Sequence, residues 1–318
     1  MADGGGTEFL DLDSRSLRVV LAIAEHGSIT AASEALGYSQ PAISQQVRRL
    51  EARIGMPVLE RVGRGVRLTE AGTVLARHAQ AVAKAIDAAS GEIAELQGLR
   101  AGRVRIAAFP SASATIVPRL LAVMAERHPA VSISYLEAEP PEAVAAVREN
   151  RADIAITFSY PGDRDDPHRE SARGLSVSTF GREPVHVVLP AAHPLAGQES
   201  VDISRLRDAN WIAGCPRCRG HLVELCDASG FTPRIGYETD NFVAVLGMVA
   251  AGLGVATLPR LALASTRLPA GVIELPTTHA DHRTLHVVTG DGAAGVPAIR
   301  ASLRVLAGID RSQWTGVD

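Results

Sequence analysis

Lysine is nearly absent. Lys84 is the only one, so all but one of the 32 basic side chains are arginine. Against them stand 35 acidic residues, a net charge of −3. That balance excludes a wholly basic nucleic-acid coat, and any nucleic-acid contact must come from a local patch. Cysteine is scarce too: three residues are too few for a disulfide framework. Long apolar runs are missing, and no stretch approaches the ~20 residues that a membrane span needs. Residues 1–13, MADGGGTEFLDLD, have neither a basic start nor an apolar run. A secretory signal is therefore not expected, and the expected compartment is the cytoplasm. The chain also lacks the Gly-rich phosphate loops and the HExxH and GxSxG signatures that would announce an enzyme. No internal repeat is visible.

What is present divides into three zones. At 46% hydrophobic over 318 residues the chain can build more than one core. Residues 14–68 are short helical stretches with tight turns. Residues 69–98 are one long helical pattern. Residues 102–310 alternate β-branched runs with helical runs, the signature of an α/β unit.

In the first zone Leu17, Val20, Leu21 and Ala24 recur at helical spacing until Gly27. Ser28 suits the N-cap of a second helix bearing Ala31, Ala32, Ala35 and Leu36. After the Gly37–Tyr38 turn, Ser39 is expected to cap a third helix with Pro41 in its first turn. Ile43, Val47, Leu50 and Ile54 mark that helix's inner side. Its outer side carries Pro41, Gln45, Arg48 and Ala52, with Ser44 alongside and Ser39 and Gln40 at its start. Such a face can simply be solvated. It can also read DNA, because Gln bonds adenine and Arg bonds guanine in bidentate fashion. Residues 58–68, VLERVGRGVRL, read as two short strands around Gly63-Arg64-Gly65. Arg61, Arg64 and Arg67 cluster there. From Ser39 to Arg67 six arginines face only Glu51 and Glu60, a local charge of +4 suited to phosphate or minor-groove contact.

Ser28, Ala31-Ala32, Leu36, the run SQPAISQQVRRLEARIG (39–55), Arg61, Arg64 and LTEAG (68–72) resemble the N-terminal winged helix-turn-helix of LysR-type transcriptional regulators. The departure is Val58-Leu59, where the family usually has Leu-Phe. The resemblance implies a DNA-binding module over 14–72 that contacts double-stranded promoter DNA through Ser39, Gln40, Pro41, Ser44, Gln45, Arg48, Arg61, Arg64 and Arg67.

The long helix repeats Leu75, Ala79, Val82, Ile86, Ala89, Ile93 and Leu96 at 4-3 spacing, a coiled-coil seam. An amphipathic helix packed on its own domain would also show an apolar stripe. About 45 Å of helix over 69–98 exceeds what a small domain needs, so dimerisation through 73–97 is expected, with Gly98 and Gly102 ending the helix. Family resemblance implies a dimer of dimers, a homotetramer.

The remainder reads as β 103–107, a helix from Ser111 to Arg127, β 131–136, helix 141–150 and β 153–158, a βαβαβ half of a doubly wound sheet. A second lobe is expected to open at EPVHVVLP (183–190), with the chain crossing near 176–180 and returning near 272–284. Lobe one then covers about 102–178 and 280–310, and lobe two about 179–279. AAHPLA (191–196), PRLLAVMAERHP (118–129) and AGLGVATLPRLAL (251–263) resemble the effector-binding domain of the same family, which shares its two-lobed form with periplasmic binding proteins. The fold class is thus α/β, with an α-rich winged helix-turn-helix in front.

An inducer between the lobes is expected near Ser111 and Ser113 at a strand-to-helix junction and near Cys215, Arg217 and Asn241 opposite. Capping alone also accounts for the hydroxyls. Glu139-Pro140-Pro141 has no hydroxyl where many relatives have one. The three cysteines fall in CPRCRGHLVELC as Cys215, Cys218 and Cys226, and they leave three readings open: a wall of the cleft, a thiol switch, or half a metal site. Arg217 and Arg219 are expected to lower the thiol pKa values. Peroxide-sensing members of the family carry two cysteines in this region at a different spacing. Neither a cofactor nor a resident metal is called for. The functions that compete are a DNA-binding regulator switched by a small molecule, the same regulator switched by thiols or metal, and a binding protein or enzyme on the two-lobed fold.

Overall fold

The structure, a computed structural model, describes residues 12–62, 65–96, 102–162 and 174–314. The chain forms two compact units, Met1–Gln97 and Gly98–Asp318. The tip residues Gly63 and Arg64 and residues 163–173 lie outside the described residues.

The first unit opens with α1 (Ser14–His26), capped by Asp13, whose Oδ1 accepts the Ser16 N–H at 2.8 Å. That N–H, together with the Arg53 guanidinium 2.6 Å away, holds the Asp13 carboxyl well below the usual range. Gly27, at φ +68°, closes the helix in the left-handed region that favours glycine. Ser28 Oγ accepts from Ala31 N at 3.1 Å and starts α2 (Ile29–Leu36). Gly37 then turns the chain into α3 (Gln40–Ile54). Ser39 holds the N-cap position of α3, but its hydroxyl makes no cap bond. The backbone carbonyl of Ser39 does that work by accepting from Ala42 and Ile43. Ile43 and Val47 pack on Val19, Ile23 and Ala32, and Leu50 packs on Leu17, Val20 and Val58. Each such burial stabilises the unit by about 1.5–3 kcal/mol.

Strands β1 (Leu59–Val62) and β2 (Gly65–Leu68) pair antiparallel as the expected wing. Thr69 then donates to Pro57 O at 2.7 Å and accepts from Gly72 N at 3.1 Å, starting α4 (Glu70–Leu96). Gly72 faces the backbone before the wing: a Cβ there would sit 2.2 Å from Val58 O. Gly72→Ala is therefore expected to cost about 1–3 kcal/mol by overpacking. Urea unfolding of the variant checks this, and an unchanged midpoint would mean that the backbone yields freely. The apolar seam of α4 divides. Leu75 and Ala79 are buried on Leu17, Val20 and Leu50 of the same unit, and Val82 packs partly against them. The near half of the expected dimer seam is thus internal core.

In the second unit β3 (Gly102–Ala108) lies between β4 (Val131–Glu137) and β5 (Ile154–Ser159), all parallel, as the βαβαβ pattern predicts. The helix expected from Ser111 is broken. A single turn, α5 (Pro110–Ser113), precedes α6 (Ile116–Arg127), and Thr115 Oγ1 donates to Ser111 O at 2.6 Å across the break. Helix α7 (Pro140–Arg148) returns the chain to β5.

The crossing near 176–180 is itself sheet. β6 is one 16-residue strand, Leu175–Pro190. Its first half pairs with β11 (His282–Gly290), and its second half pairs with β10 (Val272–Pro276) and β9 (Ala256–Pro259). Gly181 and Pro184 both lie inside this strand. The ladder absorbs the irregularity as a register shift in which Phe180 is the extra residue, between the partners of Leu285 and His286, and its ring is buried. Lobe two adds β7 (Asn210–Ala213), α8 (Pro216–Ala228), β8 (Arg234–Glu238), α9 (Phe242–Ala250) and α10 (Arg260–Ala264). Helix α11 (Pro297–Ala307) packs back on lobe one. Helix α8 takes Cys215 as its N-cap and so puts both Cys215 and Cys218 at its first turn.

Candidate functional site

Two surfaces collect the residues singled out by sequence. The first is the outer side of α3. Ser39, Gln40, Pro41, Gln45 and Arg48 are exposed, and Ser44 is half-buried beside them. The one carboxylate on this helix is turned away. Glu51 Oε1 accepts the backbone N–H groups of Val58 and Leu59 at 2.8 and 3.2 Å, holding the start of the wing. Arg53 is committed to Asp13 and to Ser16 Oγ, the latter at 2.7 Å. Arg67 pairs with Glu60 across the hairpin at 2.6 Å, while Arg61 is exposed. The local positive charge is thus concentrated on Arg48, Arg49 and Arg61. Arg64 lies outside the described residues.

The second surface is a cavity of about 60 Å³ between the lobes. Ser111 and Glu139 line it from lobe one, Gly214, Cys215 and Cys218 from lobe two, and Arg283 from the crossing strand β11. Arg283 is only 2% exposed. Its Nε donates to Glu183 Oε1 at 2.5 Å and its terminal nitrogen to Ser111 Oγ at 2.7 Å. Its guanidinium also stacks over the rings of Phe158 and Phe109 at 4.2 and 4.7 Å. Glu183, fully buried, accepts a further N–H from Leu261 at 2.7 Å. Burial still pushes its carboxyl above the usual range, despite the guanidinium beside it. Around this pair, His221 stacks on Tyr160 with ring centroids 3.8 Å apart and bonds Asp281 at 2.9 Å.

The thiols sit at the centre. Cys215 Sγ and Cys218 Sγ are 2.8 Å apart, and Cys218 N–H donates to Cys215 Sγ at 3.4 Å. Tyr160 OH donates to Cys218 Sγ at 3.6 Å. The Cys215 hydrogen bond, then the Arg283 charge and the Tyr160 hydroxyl, outweigh burial and bring the Cys218 thiol down to about 6. Cys215, as the donor in that pair and buried, is pushed up. Burial, then the Cys218 charge, raises Glu139 to about 7. Cys226 belongs to a different core, with Trp211 and Leu222, and burial pushes it to about 12. The three thiols therefore do not converge, and among the described residues no group of three or more His, Cys, Asp or Glu side chains could hold a metal ion.

The other residues expected at an inducer site do not line this cavity themselves and make bonds or contacts of their own. Ser113 donates to Phe109 O at 2.9 Å and accepts from Tyr135. Asn241 caps α9, accepting from Val243 and Ala244. Arg217 lies over Phe158 at 6.0 Å, and Arg219 pairs with Glu238 at 2.9 Å. The cation that lowers Cys218 is Arg283, not either sequence neighbour. Glu183, Tyr160, His221 and Asp281 escape sequence reasoning. The available signal was a charged residue, Glu183 or Arg283, at an inward position of a strand otherwise rich in valine.

Residues 14–73 match the family description "Bacterial regulatory helix-turn-helix protein, lysR family", and residues 97–308 match "LysR substrate binding domain". The chain belongs to the LysR family. It is a DNA-binding transcriptional regulator with an effector-binding domain. It is 28% identical over 302 residues to the RuBisCO operon transcriptional regulator of Allochromatium vinosum, covering 94% of this chain and 87% of that one. It is 30% identical over 291 residues to the probable HTH-type transcriptional regulator LrrA of Synechococcus elongatus, covering 91% and 95%. A full-length OxyR variant from Pseudomonas aeruginosa has a similar structure, with a TM-score of 0.71 at 25% identity over 93% of each chain. No helix among the described residues is long and apolar enough to cross a membrane.

Proposed function

We propose that this LysR-family regulator reads its operator through the outer side of α3, grips phosphate through Ser39, Arg61 and Arg64, and is switched by a small molecule held in the cavity between its lobes. The observation that carries the switch is that cavity: Ser111, Cys215 and Arg283, from both lobes and the strand joining them, line one space. A ligand bridging those walls shifts the lobes only as far as it binds one arrangement more tightly than the other. At about 60 Å³ the cavity is less than half the size of an engineered cavity of about 150 Å³ that accepts benzene. A signal that binds this arrangement therefore has only a few heavy atoms, and a larger inducer would have to open the lobes.

On the DNA side, Gln45 is exposed on the outer side of α3, and the helix's one carboxylate, Glu51, is bonded to the start of the wing. Gln45→Ala is expected to cost about 1–3 kcal/mol on the cognate site and to relax base choice at one position. Electrophoretic retardation of DNA flanking the coding region, titrated with candidate metabolites, tests both halves. A Gln45→Ala variant that keeps the wild-type ratio of cognate to scrambled binding sinks the assignment of the reading face. A retardation midpoint indifferent to every added small molecule sinks the switch.

A further inference from the structure

We infer that the ligand of the interlobe cavity is a small cation, a short primary alkylammonium ion, held by the Glu139 carboxylate. The inference rests on the reading of that cavity as the place where the inducer binds.

The charges around this cavity do not cancel. Arg283 stands on its wall, but Glu183 on the neighbouring strand already meets that charge at 2.5 Å. Glu139 from lobe one and Asp240 from lobe two then bring carboxylates to the lining. Glu139 holds the N-cap position of α7, yet its side chain caps nothing. Its Oε2 is buried and has no hydrogen-bond partner among the described residues. A buried acceptor left without a donor is costly, and more so when it carries charge. The groups that bear on Glu139 are Cys215 and Cys218 at the start of α8, Asp240 ahead of α9, and Arg283 on β11. Burial first, then the Cys218 and Asp240 charges, lift its carboxyl to about 7 against the pull of Arg283. What this site lacks is a donor with positive charge, and an ammonium group supplies both.

The rest of the lining and its size narrow the class. Phe242, Val245 and Leu258 offer an apolar wall to a short alkyl end. A cavity of about 60 Å³ admits a few heavy atoms and excludes an aromatic ring. An anion of the same size would meet Glu139 and Asp240 with like charge, which costs affinity. The cation also gives the lobes a reason to move. Glu139 belongs to lobe one, Asp240 and Cys218 to lobe two, and a positive charge between them lets negatively charged walls approach. Binding is then tighter in the closed arrangement, which is the condition for a shift.

The test uses the reduced full-length chain with ethylammonium chloride, sodium acetate and ethanol as probes, all at one ionic strength. Both tryptophans, Trp211 and Trp314, lie in the regulatory unit, so their fluorescence follows its unfolding. Ethylammonium should raise the thermal midpoint saturably, with half of the effect on the order of 1–30 mM, since three heavy atoms sustain no more. Acetate and ethanol, of similar size, and benzylammonium, which is too large, should give no saturable rise. Glu139→Gln keeps the shape and removes the charge, so the half-effect concentration should rise at least about ten-fold. Without ligand that variant should melt no lower than wild type, because a buried carboxylate has been removed. Asp240→Asn, at an exposed position, should cost at most about five-fold. Ethylammonium stays charged from pH 6 to 8, and a proton on Glu139 competes with it. Affinity should therefore climb toward pH 7 and level off above it, and in Glu139→Gln the change near 7 should vanish, leaving that of Cys218 near 6. In the retardation assay ethylammonium should move the wild-type midpoint at least about five-fold. An equal response to acetate or ethanol, or equal affinity in wild type and Glu139→Gln, overturns the cation site. Should Glu139→Gln melt below wild type, the wild-type pH profile decides: an affinity flat from pH 6 to 8 overturns the role of Glu139. If other metabolites move the retardation midpoint while ethylammonium never stabilises the chain, the inducer reading stands and this one falls. If ethylammonium stabilises wild type through Glu139 and no small molecule moves the midpoint, the cation site stands and the switch falls.

Discussion

Arg283→Met is expected to destabilise the regulatory unit by about 3–5 kcal/mol, because it leaves the fully buried Glu183 carboxylate without its cation. The Leu261 N–H is then the main compensation left to that carboxylate. Ser111 Oγ loses its donor as well, and the stacking on Phe109 and Phe158 becomes an ordinary apolar contact. The loss should depend on pH, and its sign follows from the direction of the Glu183 shift. A carboxyl whose folded pKa lies above its unfolded value binds more protons when folded, so its contribution is fully present below the unfolded range and fades as pH rises through the folded one. Without Arg283 that window widens upward. Urea unfolding between about pH 5 and 8 should therefore show the deficit of the variant growing as pH rises. Adding Glu183→Met should restore most of the loss, since removing both charges is far cheaper than stranding one. A deficit below about 1 kcal/mol, or one that grows on acidification, would contradict a buried and essential pair.

Much of this was legible because its signals are local. The helix-turn-helix is written in Gly27, Ser28, Gly37 and the 4-3-4 spacing of Ile43, Val47, Leu50 and Ile54, all of which act within one or two turns. The parallel core of β3, β4 and β5 follows from β-branched runs separated by helices. What sequence could not show depends on contacts across long separations. The Cys-x-x-Cys spacing is visible, but the guanidinium that helps to lower the Cys218 thiol comes from Arg283, 65 residues beyond Cys218 in the chain. The neighbours that looked responsible, Arg217 and Arg219, find Phe158 and Glu238 instead. Ser113 and Asn241 looked like ligand groups because hydroxyls and amides are common at binding sites. Such groups are equally common in local backbone bonds, and only the fold shows that Ser113 bonds back to Phe109 O while Asn241 caps α9. Of strand β6 only the part from residue 183 on was legible, and only pairing with β11 shows that the ladder runs back through the crossing to Leu175.

The far half of α4 carries the other large expectation. Leu75 and Ala79 are consumed by the first unit's own core, so the part of the seam free to meet a partner begins beyond Val82. Ile86 and Ile93 there are 47% and 56% exposed, seven residues apart and therefore on one side of a supercoiled helix. Two exposed isoleucines in register on a 27-residue helix are costly in water and stabilising if another copy covers them. Ile86→Glu is expected to place an unpaired charge in that seam, a penalty on the order of several kcal/mol that the assembly cannot offset by local rearrangement. Sedimentation of the variant should show smaller species that no longer retard an operator with two half-sites. The contrast is Leu75→Glu, which should unfold the first unit rather than divide an assembly, because that side chain is only 9% exposed within its own core. A wild-type mass for Ile86→Glu would mean that the far half of α4 meets no partner and that assembly, if any, uses another surface.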